Sequence, residues 1–86
     1  MTRKYTSPTS ETRKELLAIF GEKDRLVRDR ERKTITSLSR SHTWCLEKKE
    51  LHPARIKLGN NSVSWLLSDL LWFIYRQSNA NSTKSS

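Results

Sequence analysis

The spacing of apolar and polar residues first predicts a helix over Glu11–Phe20. Its apolar residues share roughly one side of a helical wheel, and charged residues surround them. These apolar residues are Leu16, Leu17, Ile19 and Phe20. Two starts are open, a capping box from Thr12 to Glu15 or a Ser7 cap followed by Pro8, and Gly21 predicts the end.

The next segment is highly charged and predicts two helices around a short turn. Leu26-Val27 is too short to distinguish a strand from a helix lead-in, and Asp29–Thr36 is compatible with a helix. Ser37-Leu38 predicts a turn, after which Ser39 is a typical N-cap for a helix over Arg40–Glu50. This second helix ends at His52-Pro53, because the residue before a proline avoids the α region.

Two alternating runs then predict a β-hairpin and a final helix. Ala54–Leu58 alternates small or apolar with basic residues, the turn Gly59-Asn60-Asn61 follows, and Val63–Trp65 returns. Ile56 and Leu58 are expected to face the core. Ser68-Asp69 predicts the start of a helix that runs to about Gln77.

This order of elements predicts a mainly α fold with a small β-hairpin, a winged helix-turn-helix with an extra N-terminal helix. The expected division is a flexible basic arm over 1–9, the extra helix and a linker over 10–24, the winged helix-turn-helix over 25–77, and a disordered tail over 78–86. The two terminal segments are assigned by their polar composition.

Composition and charge limit the function. The chain has 86 residues, a net charge of +8 and a pI of about 10.2. One small domain fits this length, and a deep cleft does not. One cysteine forms no intramolecular disulfide, and the chain has no stretch of about 20 apolar residues. Residues 1–7 lack the apolar region of a signal peptide, so we do not expect one. We therefore expect a small cytosolic protein whose positive charge meets nucleic acid and not a membrane.

No residue pattern indicates an enzyme or a cofactor. The chain has no Ser-His-Asp, Cys-His or phosphate-loop pattern. A metal site needs about four ligands, and Cys45 with His42 and His52 does not supply them. His52 is expected to be a loop residue.

The outer face of the second helix of the pair is a candidate DNA-reading surface. With Leu46 facing inward and Thr43 near it, Trp44 and Lys48 lie about 160° away. Arg and Lys suit guanine edges and phosphates, and an outward Trp44 would lie against the sugar-phosphate backbone. A merely solvated face is the alternative. The hairpin adds Arg55 and Lys57 on one side of a strand, with the same alternative.

About 52 residues, Leu26 to Gln77, resemble the AlpA-type family of phage and genomic-island regulators, small MerR-like winged helix-turn-helix proteins that include excisionases. The resemblance is carried by Thr36-x-Leu38-Ser39-Arg40-Ser41, Leu46, Lys48, Pro53-x-x-Ile56-Lys57-Leu58-Gly59, Ser62-Val63-x-Trp65, Ser68-Asp69-Leu70 and Ile74. It implies a DNA-binding protein without enzymatic activity.

The resemblance and the helical pattern together give three groups of candidate DNA-binding residues. The recognition-helix group is Ser39, Arg40, Ser41, Trp44, Cys45 and Lys48. The wing group is Arg55, Lys57, Asn60 and Asn61, and Arg28 and Arg30 flank the surface.

Several residues depart from the family pattern. Ser37 stands where the family often has Gly, so a left-handed turn is less comfortable there. Arg32 and Thr43 stand at apolar positions, and Arg32 is expected to thin the core beneath it. Asn61 stands where arginine is common at the wing tip, and Cys45 replaces a common arginine.

The last helix is more apolar than one buried face requires. Leu70, Phe73 and Ile74 share an inner face, whereas Leu71, Trp72 and Tyr75 fall on another side. Three explanations are open: the N-terminal helix folds back on this surface, a partner protein covers it, or the helix lies in a membrane interface. We expect a protein contact, within or between chains, made by Leu16, Phe20, Leu71, Trp72 and Tyr75.

The function that these observations favour is an excisionase, a recombination directionality factor that bends attachment-site DNA and directs a tyrosine integrase toward excision. Cooperative self-association on double-stranded DNA and a cytoplasmic, nucleoid-associated location in a bacterium or phage-infected cell are expected with it. The alternatives are a transcriptional regulator of the mobile element's promoter and a protein-interaction module that acts through the apolar last helix. An RNA-binding module lacks its usual aromatic platform.

Overall fold

The computed structural model describes residues 5–84, and the side chains of residues 5–78. The described chain contains four α-helices and three short β-strands. In chain order they are α1 (Ser10–Phe20), β1 (Leu26–Arg28), α2 (Asp29–Thr36), α3 (Arg40–Lys48), β2 (Ile56–Lys57), β3 (Val63–Leu66) and α4 (Leu67–Lys84). The fold is mainly α with a small β-hairpin, a winged helix-turn-helix with an extra N-terminal helix.

Leu26-Val27 belongs to a strand that the hairpin alone does not predict. Strand β1 pairs antiparallel with β3, with Val27 opposite Trp65, so that β3 is the central strand of the order β1-β3-β2. Strand β2 pairs with the other edge of β3. Strand β1 directly precedes α2, and its pairing with β3 connects the helix pair to the wing. The paired residues Val27 and Trp65 are both fully buried.

The core lies where β1 and β3 meet α4. Its central cluster comprises Val27, Trp65, Leu67, Leu70 and Leu71, with Leu17, Ile35 and Val63 packed against it. Leu71, which the helical pattern places outside the inner face of α4, belongs to this core, in line with the explanation that the N-terminal helix folds back on α4. Only 5% of Leu71 is exposed.

The N-terminal segment is bound to the start of α4 by polar contacts. Arg13 donates to the Ser68 hydroxyl over 2.7 Å and pairs with Asp69 over 2.8 Å. The Tyr5 hydroxyl also donates to Asp69, over 3.0 Å. Asp24 accepts from the Ser68 backbone N–H over 3.0 Å and from its hydroxyl over 2.8 Å. Asp24 therefore caps α4 from 44 residues away, in place of the expected local cap.

The ends of the outer helices differ from the sequence prediction. Thr9 caps α1 by accepting from the Thr12 backbone N–H, where Ser7 or Thr12 was expected. Gly21 ends the helix in the left-handed conformation as predicted. Helix α4 continues to Lys84 and not to about Gln77. The polar residues there contain neither Gly nor Pro, so the two strongest helix-breaking residue types are absent from this segment.

The predicted domain division stays a prediction, although two structural facts bear on its ends. Within the proposed arm, residues 5–6 contact α4: the Trp72 indole donates to the Thr6 carbonyl over 2.8 Å. Within the proposed tail, the backbone is helical to Lys84. Residues 1–4 and 85–86 of these two segments lie outside the described residues.

Ser37 joins α2 to α3 in a left-handed conformation. Its φ is 62° and its ψ is 17°, and its backbone N–H donates to Lys33 over 2.8 Å. This conformation destabilises a residue with a Cβ by about 1–2 kcal/mol. For glycine it carries no such strain, and only the smaller loss of backbone entropy on folding remains. The turn is thus formed at a strained residue.

Ser37→Gly is expected to raise the free energy of unfolding by about 0.5–1 kcal/mol, since the relief of strain exceeds the entropy that glycine loses. Urea denaturation followed by circular dichroism measures this change. Ser37→Ala is the matched control, because it keeps the Cβ and the strain. An equal gain in both variants would show that the backbone conformation is not the cause.

The polarity of Arg32 predicts a thinner core beneath it, and this prediction is wrong. The side chain fills the space with a hydrogen-bonded guanidinium. The side chain is completely buried and extends from α2 toward α3. One terminal nitrogen donates to the Thr43 hydroxyl over 2.7 Å and to the Leu38 carbonyl over 2.9 Å, and Nε contacts Asp29 over 3.1 Å. The guanidinium also lies 5.6 Å from the Trp65 ring centre. Arg32 thus links α2, the turn and α3.

The predicted direction of Leu58 is wrong. Half of this side chain is exposed, whereas Ile56 is partly buried as expected. Strand β2 ends at Lys57, and Leu58 belongs to the turn, where its backbone N–H donates to Ser62 over 2.9 Å. The alternation of a strand therefore no longer fixes where Leu58 points.

Candidate nucleic-acid interface

Helix α3 presents one buried and one exposed face. The Ser39 hydroxyl caps it by accepting from the His42 backbone N–H over 3.1 Å, as predicted. Thr43 is 1% exposed and holds the inner face against Arg32. The remaining candidates of this helix are all exposed: Arg40, Ser41, Trp44, Cys45 and Lys48. The outward face predicted from the helical wheel is therefore present.

Trp44 lies on this exposed face and contacts a cation through its ring. It is 50% exposed, and the Lys48 ammonium nitrogen lies 3.6 Å from the centre of its ring. This cation–π contact, one helical turn apart, fixes a positive charge above an exposed aromatic plane. The pair offers an ammonium group for a phosphate and an indole N–H for the sugar-phosphate backbone.

Arg40 stands at the start of α3 and is held only loosely. Its side chain is 82% exposed, and its Nε contacts Asp29 Oδ2 over 3.3 Å. Burial by itself would raise the pKa of Asp29, but its hydrogen bonds and ion pairs with Arg32 and then Arg40 hold that pKa below its ordinary value. Asp29 is thus an ionised carboxylate shared by a buried and an exposed arginine.

Arg55 is held more firmly, at the base of the wing. Its Nε donates to Glu47 Oε1 over 2.8 Å, and the guanidinium lies 5.7 Å from the Trp65 ring centre. The other wing candidates, Lys57, Asn60 and Asn61, are exposed. The expectation that Arg55 and Lys57 share one solvent-facing side holds for Lys57 only, because Glu47 turns Arg55 toward α3.

The recognition helix and the wing enclose one continuous basic surface. Two shallow depressions meet along it, and Arg40 and Arg55 line both. The first also contains Asp29 and the wing residues Lys57, Gly59, Asn60, Asn61 and Val63. The second also contains Ser41 and Trp44. Residues that are distant in sequence therefore form one surface. Arg28 and Arg30 are exposed at β1 and α2, and neither lines these depressions.

Glu47 is a site residue that the sequence analysis missed. Its two carboxylate oxygens accept from Arg55 Nε and from the Trp65 indole N–H, the latter over 2.9 Å. The signal available in the sequence was a carboxylate in a helix whose exposed face is basic. Such an acid, when it is largely buried, needs hydrogen-bond donors to pair with it. Glu47 thus joins α3 to Arg55, which precedes β2, and to Trp65 on β3.

His52 lies in a loop, as expected, and it is also a buried residue of this region that the sequence pattern did not indicate. Its ring is buried between Trp65 and Phe73, with ring centres 6.2 and 4.8 Å away. Its Nδ1 pairs with the Pro53 carbonyl over 2.9 Å, and Glu47 Oε2 lies 3.7 Å away. Burial is the main cause that lowers the pKa of His52, and the nearby Arg32 and Arg55 charges act in the same direction.

The free energy of unfolding is expected to fall as the pH drops below about 6.5, by on the order of 1 kcal/mol down to pH 5. The unfolded chain binds a proton at the ordinary pKa of histidine, whereas folded His52 resists protonation, so acid favours unfolding. Denaturation at several pH values measures the change. His52→Gln is expected to flatten it and His42→Gln to leave it; an unchanged slope in His52→Gln would contradict this origin.

The residues predicted to make a protein contact differ in their burial within this chain. Leu16 is 2% exposed and, like Leu71, lies within this chain. Trp72 is half-buried and stacks on Tyr75 with ring centres 5.8 Å apart. Phe20 and Tyr75 are 47% and 42% exposed. The contact with another protein stays a prediction for these exposed residues.

Comparison with known proteins assigns the chain to a family. The model of the family described as prophage CP4-57 regulatory protein (AlpA) matches residues 25–76, which is 52 of the 86 residues. The match begins after α1 and includes the helix pair, the sheet and most of the apolar part of α4. No curated protein and no solved structure is similar enough to match. The chain belongs to the AlpA family of prophage regulatory proteins.

Proposed function

We propose that the protein is a sequence-specific double-stranded DNA-binding regulator without catalytic activity. The observation that carries this proposal is the continuous basic surface formed by the outward face of α3 and the wing. Helix α3 fits the major groove in the manner of a recognition helix, and the wing reaches the adjacent backbone. Membership of a family of prophage regulators supports this reading.

The charge distribution supports DNA as the ligand. The net charge of +8 favours a polyanion, and Arg40, Lys48 and Lys57 concentrate positive charge on this face. Ser41 and the wing amides Asn60 and Asn61 add neutral donors and acceptors for base edges or the backbone. In the described part of the chain, no helix is both long and apolar enough to cross a membrane.

The test is a set of alanine variants titrated onto duplex DNA. Arg40→Ala and Lys48→Ala are each expected to lower affinity about tenfold, because each removes one charged contact worth roughly 1–3 kcal/mol. Their unfolding is expected to change by less than about 0.5 kcal/mol, since both side chains are exposed. Fluorescence anisotropy of labelled DNA measures the affinity.

Lys14→Ala provides the matched control, because Lys14 is exposed on α1, outside the basic surface and the family match. It removes the same charge and should alter affinity far less. If all three variants lost affinity equally, the net charge alone would be responsible, and this assignment of the surface would be wrong.

Within this function we favour an excisionase that bends attachment-site DNA and directs a tyrosine integrase toward excision. Strong basicity and exposed apolar residues suited to cooperative self-association support this choice. The alternative is a transcriptional regulator of prophage or genomic-island genes with the same surface, and in both cases the protein would act on DNA in the cytoplasm. Gel mobility of circularly permuted attachment-site fragments distinguishes them, because only the first requires a bend there.

A third candidate is a protein-interaction module. The exposed Phe20 and Tyr75 support it, together with Ile19, which is 71% exposed. It predicts that Arg40→Ala and Lys48→Ala leave the biological activity intact, whereas Tyr75→Ala abolishes it.

A further inference from the structure

Two carboxylates hold two arginines of the basic surface in the same way. Asp29, at the start of α2, accepts from Nε of Arg40, and Glu47, near the end of α3, accepts from Nε of Arg55. In each case the acid contacts the inner nitrogen of the guanidinium and not its two terminal nitrogens. The acid therefore orients the arginine through Nε, and the two terminal nitrogens stay available to bind an oxyanion.

The terminal nitrogens of both arginines are available. Within residues 5–78, whose side chains are described, no hydrogen-bond acceptor contacts the terminal nitrogens of Arg40 or Arg55. Both side chains line both shallow depressions. Four N–H-bearing nitrogens on two planar groups therefore border one shared space, an arrangement suited to an oxyanion.

We propose that Arg40 and Arg55 form a clamp for a single DNA phosphate, with Asp29 and Glu47 as positioning residues. The proposal rests on the proposed function, because it takes the ligand to be duplex DNA. It adds that one phosphate lies between the recognition helix and the wing and is contacted from both. This contact fixes the angle of α3 in the groove, since its two arginines come from elements on either side of the phosphate.

The two supports differ in strength. Glu47 is 11% exposed and also accepts from the buried Trp65 indole, so Arg55 is fixed before DNA arrives. Asp29 is 27% exposed, and its contact with Arg40 is longer, at 3.3 Å. An exposed pair of this kind exchanges readily with solvent. Arg55 is therefore the preformed half of the clamp, and Arg40 closes on the phosphate.

The salt dependence of binding tests whether the phosphate is shared. The probe is a scrambled 20-base-pair duplex, because phosphate contacts do not require the specific target. Arg40→Gln and Arg55→Gln remove each charge, and the glutamine at position 55 retains a donor for Glu47. Each neutralised phosphate contributes about 0.9 to the slope of log affinity against log salt.

For one shared phosphate, each single variant should change the slope by well under 0.9, since the other arginine still neutralises it, and the double variant should change it by about 0.9. Slope changes of about 0.9 in each single variant and about 1.8 in the double variant would mean two separate phosphates and would overturn the clamp. Equal affinity for the scrambled duplex and the specific target would contradict the proposed function. The comparison of salt slopes between the single and double variants would still hold, because it uses the scrambled duplex alone.

A second comparison tests Glu47 as a positioning residue. Glu47→Gln is expected to weaken duplex binding several-fold in the wild-type background, and to have little effect when Arg55 is already glutamine. A purely structural role would weaken binding equally in both backgrounds, and that result would remove Glu47 from the clamp. Lys57→Gln, which removes a wing charge outside this contact, is the matched background in which the Glu47 effect should persist.

Discussion

Arg32→Met is expected to lower the free energy of unfolding by about 2–4 kcal/mol, even though it replaces a buried charge with an unbranched apolar side chain. The change leaves the buried Thr43 hydroxyl and the Leu38 carbonyl without the guanidinium that contacts them at 2.7 and 2.9 Å. Unsatisfied buried polar groups cost more than the hydrogen bonds themselves contribute. Urea denaturation followed by circular dichroism at 25 °C measures the loss.

The double variant Arg32→Met, Thr43→Val separates this explanation from a simple change of volume. Thr43→Val alone is expected to cost about 1–3 kcal/mol, because Arg32 loses its shortest hydrogen bond. The double variant should be more stable than the sum of the single effects by about 1–3 kcal/mol, since both polar partners are then gone. Strict additivity would show that the two residues are not an energetic pair.

Trp65→Ala is expected to cost about 3–5 kcal/mol, enough to unfold much of the protein at 37 °C. Trp65 is 1% exposed on the central strand, packs against Val27 and α4, and donates its indole N–H to Glu47 over 2.9 Å. The loss therefore combines a large cavity with an unpaired buried carboxylate oxygen. Thermal denaturation by circular dichroism measures it.

Two other aromatic substitutions give the scale for this effect. Trp65→Phe keeps most of the volume but removes the N–H, and we expect a loss of about 1–2 kcal/mol. Trp44→Ala removes a ring that is half exposed, and we expect a change below about 1 kcal/mol. Equal losses in Trp65→Ala and Trp44→Ala would contradict the assignment of Trp65 to the centre of the core.

The elements with local signals could be predicted from the sequence. Ser39 caps α3 through a hydrogen bond three residues away, and the Gly59-Asn60-Asn61 turn lies between its two strands. The helical wheel of α3 placed Thr43 inward and Trp44 outward for the same reason, because helical geometry is fixed within a few turns. Hence the helix pair, the wing and most of the exposed candidate residues followed from local patterns.

Contacts between distant segments could not be predicted in this way. Arg32 reads as a polar intrusion into the core until the Thr43 hydroxyl and the Leu38 carbonyl are brought to it in space. Asp24 caps α4 across 44 residues. Glu47 and Arg55 likewise pair only when the wing folds back on α3. These features depend on tertiary geometry, which a periodicity of 3.6 or 2 residues does not contain.

The most direct test of the central claim is a titration of the protein onto duplex DNA from the promoter and the attachment-site arms of the mobile element that carries it. Scrambled DNA of the same length serves as the comparison, and both titrations are made at two salt concentrations. We predict binding to one of the two element sites at least about a thousandfold tighter than to scrambled DNA, and weaker binding to every duplex at higher salt. Equal affinity for element and scrambled DNA at both salt concentrations would contradict sequence-specific recognition.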